Sequence, residues 1–215
     1  MDSSDKKKVV AVVSNFKFLK NNFNNLYNQL RVRGNYQGEI LIITSKFTPY
    51  FLIRSIRKKN QVKVLRFKNI KFDKITELEL NNLETFNDPN RNITKKFQWH
   101  KLHLFDERMK NWDYVFYLDI NMKIHYDINR ILSHTPDNCF MARSDTYPNY
   151  DRDLKTQFDQ THPLYTELEK NYDLSVNNYF QTGVMYFDTK IISKQTKNQI
   201  INLVNKYPIT VTNEQ

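Results

Sequence analysis

Asp119-Ile120-Asn121 stands directly after Tyr114-Val115-Phe116-Tyr117-Leu118, an aromatic and β-branched run with the composition of a strand buried on both faces. A carboxylate in that place is costly unless it is paired, hydrogen-bonded or holding a metal, so it belongs in a crevice at the strand's carboxyl end. Other polar residues recur at similar points. Ser14 and Asn15 finish the apolar run that starts at Lys8, with Phe18 close behind, and Asp145 finishes "CFMARSD". Gln181-Thr182-Gly183 opens the run "YFQTGVMYFDTKII", where the glycine marks a bulge or a close backbone approach. Lys101 shares a helical stripe with Phe97, Leu104, Phe105 and Met109. A lysine there loses hydration unless it meets an anion; the alternative is a side chain that snorkels to solvent. His100 and His103 are three apart, but no further Cys or His cluster turns them into a zinc site, and they read as core or surface histidines.

The elements that must position these residues alternate from the start. "KVVAVVSNF" reads as a strand, Phe18 to Arg33 as a helix, "EILIITS" as a strand, Pro49 to Lys59 as a short helix and "VKVLRF" as a strand. Such a β-α-β-α-β series predicts an α/β fold with a mostly parallel central sheet and right-handed crossovers. From Asn69 to Arg91 the periodicity fades, and residues 146–176 read as irregular, a lid or acceptor loop. A strand with Gly183 and a helix from Lys194 to Lys206 close the chain. No internal repeat, low-complexity linker or domain boundary is visible, so residues 1–215 are expected to form one domain.

With 215 residues, the chain is long enough for one sizeable core. It has no long apolar run, and its start lacks a secretory pattern. Cys139 is the single cysteine, so no internal disulfide is available. These features predict an intracellular, cytoplasmic protein. The net charge of +10 biases it toward anionic partners, among them nucleic acid, acidic glycans and nucleotide phosphates. Its lysines and arginines are scattered rather than gathered in an arginine-rich block, which reads as a solvated surface and not as a nucleic-acid footprint.

"WHKLHLF", "YVFYLDINMKIHYDINRIL", "ARSD", "YFQTGVMYFD" and "TNEQ" occur in that order, and the series resembles glycosyltransferase family 8, the glycogenin-like retaining enzymes of the GT-A fold. The resemblance runs over essentially the whole chain. It implies a Rossmann-like nucleotide-diphospho-sugar transferase domain that moves a hexose or N-acetylhexosamine from a UDP-sugar to an acceptor hydroxyl on a glycan or protein. Relatives carry Asp-x-Asp where this chain has Asp119-Ile120-Asn121, and those carboxylates hold a divalent ion, usually Mn2+, against the diphosphate. By the resemblance Asp119 contacts the nucleotide ribose or the metal, Ile120 stands with it in the donor site, and Asn121 takes the place of the principal metal ligand, with weaker affinity because an amide brings no charge.

The same resemblance implies that Ser14, Asn15 and Phe18 hold the nucleoside and that Arg91 and Lys101 meet its phosphates. Asp145 and Gln181-Thr182-Gly183 would hold the donor sugar. Glu214-Gln215 matches a pair whose acid lies beside the reacting carbon, so Glu214, Gln215 and Lys101 are the expected catalytic residues. Family members continue into a His-x-x-Gly-x-x-Lys segment, so the chain reads either as a domain without its C-terminal part or as a minimal form with an incomplete metal site. A degenerate module that binds nucleotide or glycan without turnover is the alternative, and assembly into a homodimer stays open. A nucleotidyltransferase is disfavoured because the stretch after the first strand, Ser14 to Lys20, contains no glycine.

Overall fold

The run Val9–Val13 contains no polar residue, as a strand covered on both faces requires, and it lies in the middle of a six-stranded sheet. The computed structural model describes residues 6–82, 97–144, 153–177 and 179–210, with backbone alone at 81 and 82. The strands are β1 (Lys8–Val13), β2 (Glu39–Ser45), β3 (Val62–Phe67), β4 (Tyr114–Leu118), β5 (Phe140–Ser144) and β6 (Phe180–Asp188). Their order is β3-β2-β1-β4-β6-β5. The first four in that order are parallel, and β6 runs antiparallel to both β4 and β5.

Alternate residues feed two cores. Val10, Val12, Ile40, Ile42, Phe116 and Leu118 pack with Leu19, Phe23, Leu26 and Leu30 of helix α1 (Phe16–Val32). Val9, Ala11, Leu41, Ile43, Val115 and Tyr117 pack on the other face with Leu104, Met109 and Trp112. The order places β1 between β2 and β4, so the chain leaves β1 toward one side and β4 toward the other. That switch point opens a crevice at their carboxyl ends.

Three expectations need correction. The stripe around Lys101 is not one α-helix: it forms 3-10 segments at Trp99–Phe105 and Glu107–Asn111. The break falls at Asp106, which has an extended backbone and whose carboxylate accepts from Arg108 Nε at 2.8 Å and Lys197 Nζ at 2.7 Å. Where periodicity faded, helix α3 follows helix α2 (Tyr50–Arg57) and spans Lys74–Asn82. It is started by Asp73, which accepts from Thr76 N at 2.7 Å, and it is docked through Thr76 Oγ1 to the Asn205 carbonyl. Of the expected irregular stretch, residues 153–176 contain a helix, Tyr165–Asn171, and their Tyr165, Leu168 and Leu174 form a small core with Tyr207 and Ile209. Among the described residues no helix is long and apolar enough to cross a membrane.

His100 and His103 anchor the 3-10 segment rather than a metal. His100 Nε2 lies 3.1 Å from Asn69 Oδ1, and His103 Nε2 lies 3.0 Å from the Lys68 carbonyl. With Lys197 Nζ 3.3 Å from His103 Nδ1, the geometry suits the neutral ring. Burial pushes His100 down to about 4; burial, Lys197 and His100 push His103 down to about 3. Both values lie below the ordinary 6.5, so the unfolded chain binds more protons between these limits and stability falls as pH drops below 6.5. Thermal melts from pH 7.5 to 4.5 are expected to show a falling Tm, with a shallower fall in His100→Phe, which removes one of the two groups. A Tm independent of pH over this range contradicts the neutral buried pair.

Candidate active site at the carboxyl ends of β1 and β4

Asp119 to Met122 form a tight turn, closed by Met122 N donating to the Asp119 carbonyl at 2.9 Å. Ile120, 7% exposed, seats the turn in the core and leaves Asp119 and Asn121 toward the crevice. β6 enters from the opposite direction, so Gly183 lies next to the end of β4, and its carbonyl accepts from Asp119 N at 2.9 Å. A Cβ on Gly183 would sit 3.3 Å from Asp119 Oδ2 and 2.9 Å from Met122 Cε. Glycine therefore lets the carboxylate lie against the strand, which is the close approach expected of it.

Lys101 is 8% exposed overall, and its ammonium meets Asp119 Oδ1 at 3.3 Å, Thr182 Oγ1 at 3.1 Å and the Thr182 carbonyl at 3.4 Å. It also stands 5.6 Å from the Tyr117 ring centre, and the Tyr117 hydroxyl donates to the same Asp119 oxygen. The lysine thus turns inward to an anion rather than outward to solvent. Asn121 accepts at its amide oxygen from Asn22 Nδ2 of α1.

A cleft of about 310 Å³ opens over this cluster, lined by Val13, Ser14, Asn15, Phe18, Phe97, Gln98, Lys101, Asp119, Ile120 and Asn121. Phe18 packs on one core and Phe97 on the other, so an aromatic ring reaches the cleft from each face of the sheet. Asn15 serves as N-cap of α1, its amide oxygen accepting from Phe18 N at 2.9 Å. Ser14 is 2% exposed; its hydroxyl turns to the Asn15 carbonyl at 3.3 Å. Its own carbonyl accepts from Thr44 Oγ1 at 2.7 Å.

Seven of the sequence-derived site residues therefore converge: Ser14, Asn15, Phe18, Lys101, Asp119, Ile120 and Asn121. Thr182 and Gly183 support them from behind. Gln181 is exposed at the start of β6, opposite Arg143 of β5 and apart from the cleft lining. Arg91, Asp145, Glu214 and Gln215 lie outside the described residues. Sequence reasoning missed Phe97, Gln98, Asn22 and Tyr117 as site residues. Phe97 was legible from its place four before Lys101, whereas nothing in "NNFNN" distinguishes Asn22 from its neighbours.

Among the described residues the donor set does not suit a hard divalent cation: Asp119 is the single carboxylate in that part of the cleft lining and is held through Oδ1 by Lys101 and Tyr117, while the Asn121 oxygen is occupied by Asn22. No group of three His, Cys, Asp or Glu side chains that could hold a metal forms among the described residues.

No protein-family model matches the sequence, and no curated protein matches it. Solved structures do match the fold, which is that of GT-A glycosyltransferases. The mannosyltransferase Ktr4p of S. cerevisiae, in complex with GDP, is 14% identical with a TM-score of 0.61 over 95% of this chain and 63% of its own. The galactosyltransferase LgtC, with donor and acceptor sugar analogs, is 12% identical with a TM-score of 0.56 over 93% of this chain and 64% of its own. Core-mannan synthase A of Aspergillus fumigatus, in its Mn/GDP form, is 10% identical with a TM-score of 0.55 over 97% and 68%. The chain thus spans less than two thirds of the length of Ktr4p and of LgtC. At these identities the likeness establishes the fold and does not assign the chain to family 8.

The Ser14 turn rests on Thr44, which is fully buried and also bonded to Thr48 Oγ1 at 2.8 Å. Thr44→Val keeps the volume but leaves the Ser14 carbonyl and the Thr48 hydroxyl without this partner. The expected loss is about 1–3 kcal/mol of unfolding free energy in urea titration, and an unchanged midpoint would show that the hydroxyl does not hold the turn.

Proposed function

We propose that the protein is a glycosyltransferase that takes a hexose or N-acetylhexosamine from a nucleoside-diphosphate donor, a UDP-sugar by the family 8 resemblance, and passes it to an acceptor hydroxyl with retained anomeric configuration. One observation carries the reading: the Lys101–Asp119 pair, Asn121 and two aromatic rings converge in the switch-point cleft of a GT-A fold. Such a cleft offers rings for a base and polar groups for a ribose and a diphosphate.

In this reading Phe18 and Phe97 flank the base, and Asn15 and Asp119 face the nucleoside, with Asp119 accepting from a ribose hydroxyl. Lys101 keeps Asp119 from repelling the diphosphate and adds attraction for it. Thr182 and Gly183 position Lys101 and Asp119. Arg91 brings further charge, Asp145 orients the sugar, and Glu214 and Gln215 stand by the reacting carbon; these four roles rest on the resemblance. The reaction breaks the bond between the anomeric carbon and the phosphate oxygen, whose electron pair leaves with the diphosphate. A new bond forms from the anomeric carbon to the acceptor oxygen, and the hydroxyl proton is released. Positioning and electrostatic stabilisation of the leaving diphosphate supply the rate enhancement.

A second reading, a module that binds nucleotide without turnover, is favoured by one feature: the place of the second motif carboxylate is taken by Asn121, bonded to Asn22. Intact-mass measurement after incubation with UDP- and GDP-sugars, with and without glycan acceptors, separates the two. Release of nucleoside diphosphate or a mass gain of one sugar supports transfer, and its absence alongside nucleotide binding supports the module. Lys101→Met is expected to weaken UDP or GDP binding at least tenfold in calorimetry while changing uridine or guanosine binding far less. Equal losses for nucleoside and nucleotide would contradict the role given to Lys101.

A further inference from the structure

Asn121 occupies the place where a metal-binding carboxylate is expected, yet its contacts suit a different partner. Its amide oxygen is taken by Asn22 Nδ2. An amide has its two functions on opposite branches, so fixing the oxygen against α1 turns the NH2 group, a donor, to the other side. Asn121 is exposed and lines the cleft, so that side is the cleft itself. An N–H donor repels a cation and attracts phosphate oxygen. Beside it, the negative charge of Asp119 is already met by the Lys101 ammonium at 3.3 Å. The Asp119 charge that a divalent ion would otherwise offset is offset by a side chain.

We infer that the protein binds its nucleoside diphosphate directly, without a divalent cation, with Asn121 donating to a phosphate oxygen and Asn22 acting as the positioning residue that fixes the orientation of its amide. The inference rests on the nucleotide-cleft reading above and concerns what meets the phosphates. The wider basic balance, +10 for the chain, works in the same direction by raising the local concentration of anions.

Calorimetric titration with UDP and GDP, in EDTA and in MnCl2, tests it on the full chain. The expected Kd in EDTA lies within threefold of that in MnCl2. Asn121→Asp replaces the donor by a second carboxylate and is expected to weaken binding at least tenfold in EDTA, with recovery in MnCl2. Asn22→Leu is expected to weaken metal-free binding three- to fivefold at unchanged Tm, Asn22→Gln to retain most of it, and Asn22→Leu to have no further effect once Asn121 is Ala. Binding by the unaltered protein that disappears in EDTA and returns with MnCl2 overturns the inference while keeping the nucleotide cleft. So does an Asn121→Asp variant indifferent to EDTA. No binding under either condition overturns the nucleotide cleft itself, and the inference with it.

Discussion

The contact between the Lys101 ammonium and the Asp119 carboxylate governs the site. A nearly buried lysine is costly alone, and the Asp119 carboxylate, whose side chain is 40% exposed, makes it tolerable. Much of the local architecture follows from keeping them together. The 3-10 segment carries Lys101 across the end of β4, Tyr117 bonds to the same carboxylate oxygen, and β6 runs backward so that Thr182 and Gly183 reach the pair. A side chain at 183 would press on Asp119, so the glycine is part of the same arrangement.

The parallel half of the sheet was legible because its strands are continuous apolar runs, and β1, β2, β3 and β4 fall where the sequence places them. Asp119 was legible for the same reason, an acid ending a run that has no other polar interruption. Helix α3 was not, because its stability comes from docking on Asn205, a residue 132 positions from Asp73 in sequence, and not from an apolar stripe of its own. The Lys101 segment was read as an α-helix since its apolar spacing fits either helix type. The ion cluster at Asp106, with burial opposing and Arg108 and Lys197 outweighing it to hold the acid well below the carboxylate range, decides where that segment breaks. Asn22 was invisible because a side chain that acts through another residue leaves no mark on local periodicity.

The topology also explains why residues so far apart in sequence form one site. β1 and β4 are neighbours in the sheet while the sheet extends from β1 toward β2 and from β4 toward β6, so Ser14, Phe18 and Asp119 meet at their carboxyl ends, and Phe97 joins them from the other face. The fold supplies the place, and Lys101, Asp119 and Asn121 supply its chemical character. Among the described residues, one carboxylate, one ammonium and the Asn121 amide give the cleft its polar character.

The most direct measurement is a crystal structure of the protein with UDP or GDP bound. The diphosphate is expected at the carboxyl ends of β1 and β4, within hydrogen-bonding reach of Lys101 and Asn121, with the base against Phe18 or Phe97. Nucleotide seated instead at the opposite end of the strands, in the hollow lined by Lys8, Tyr36 and Asn129, would contradict it.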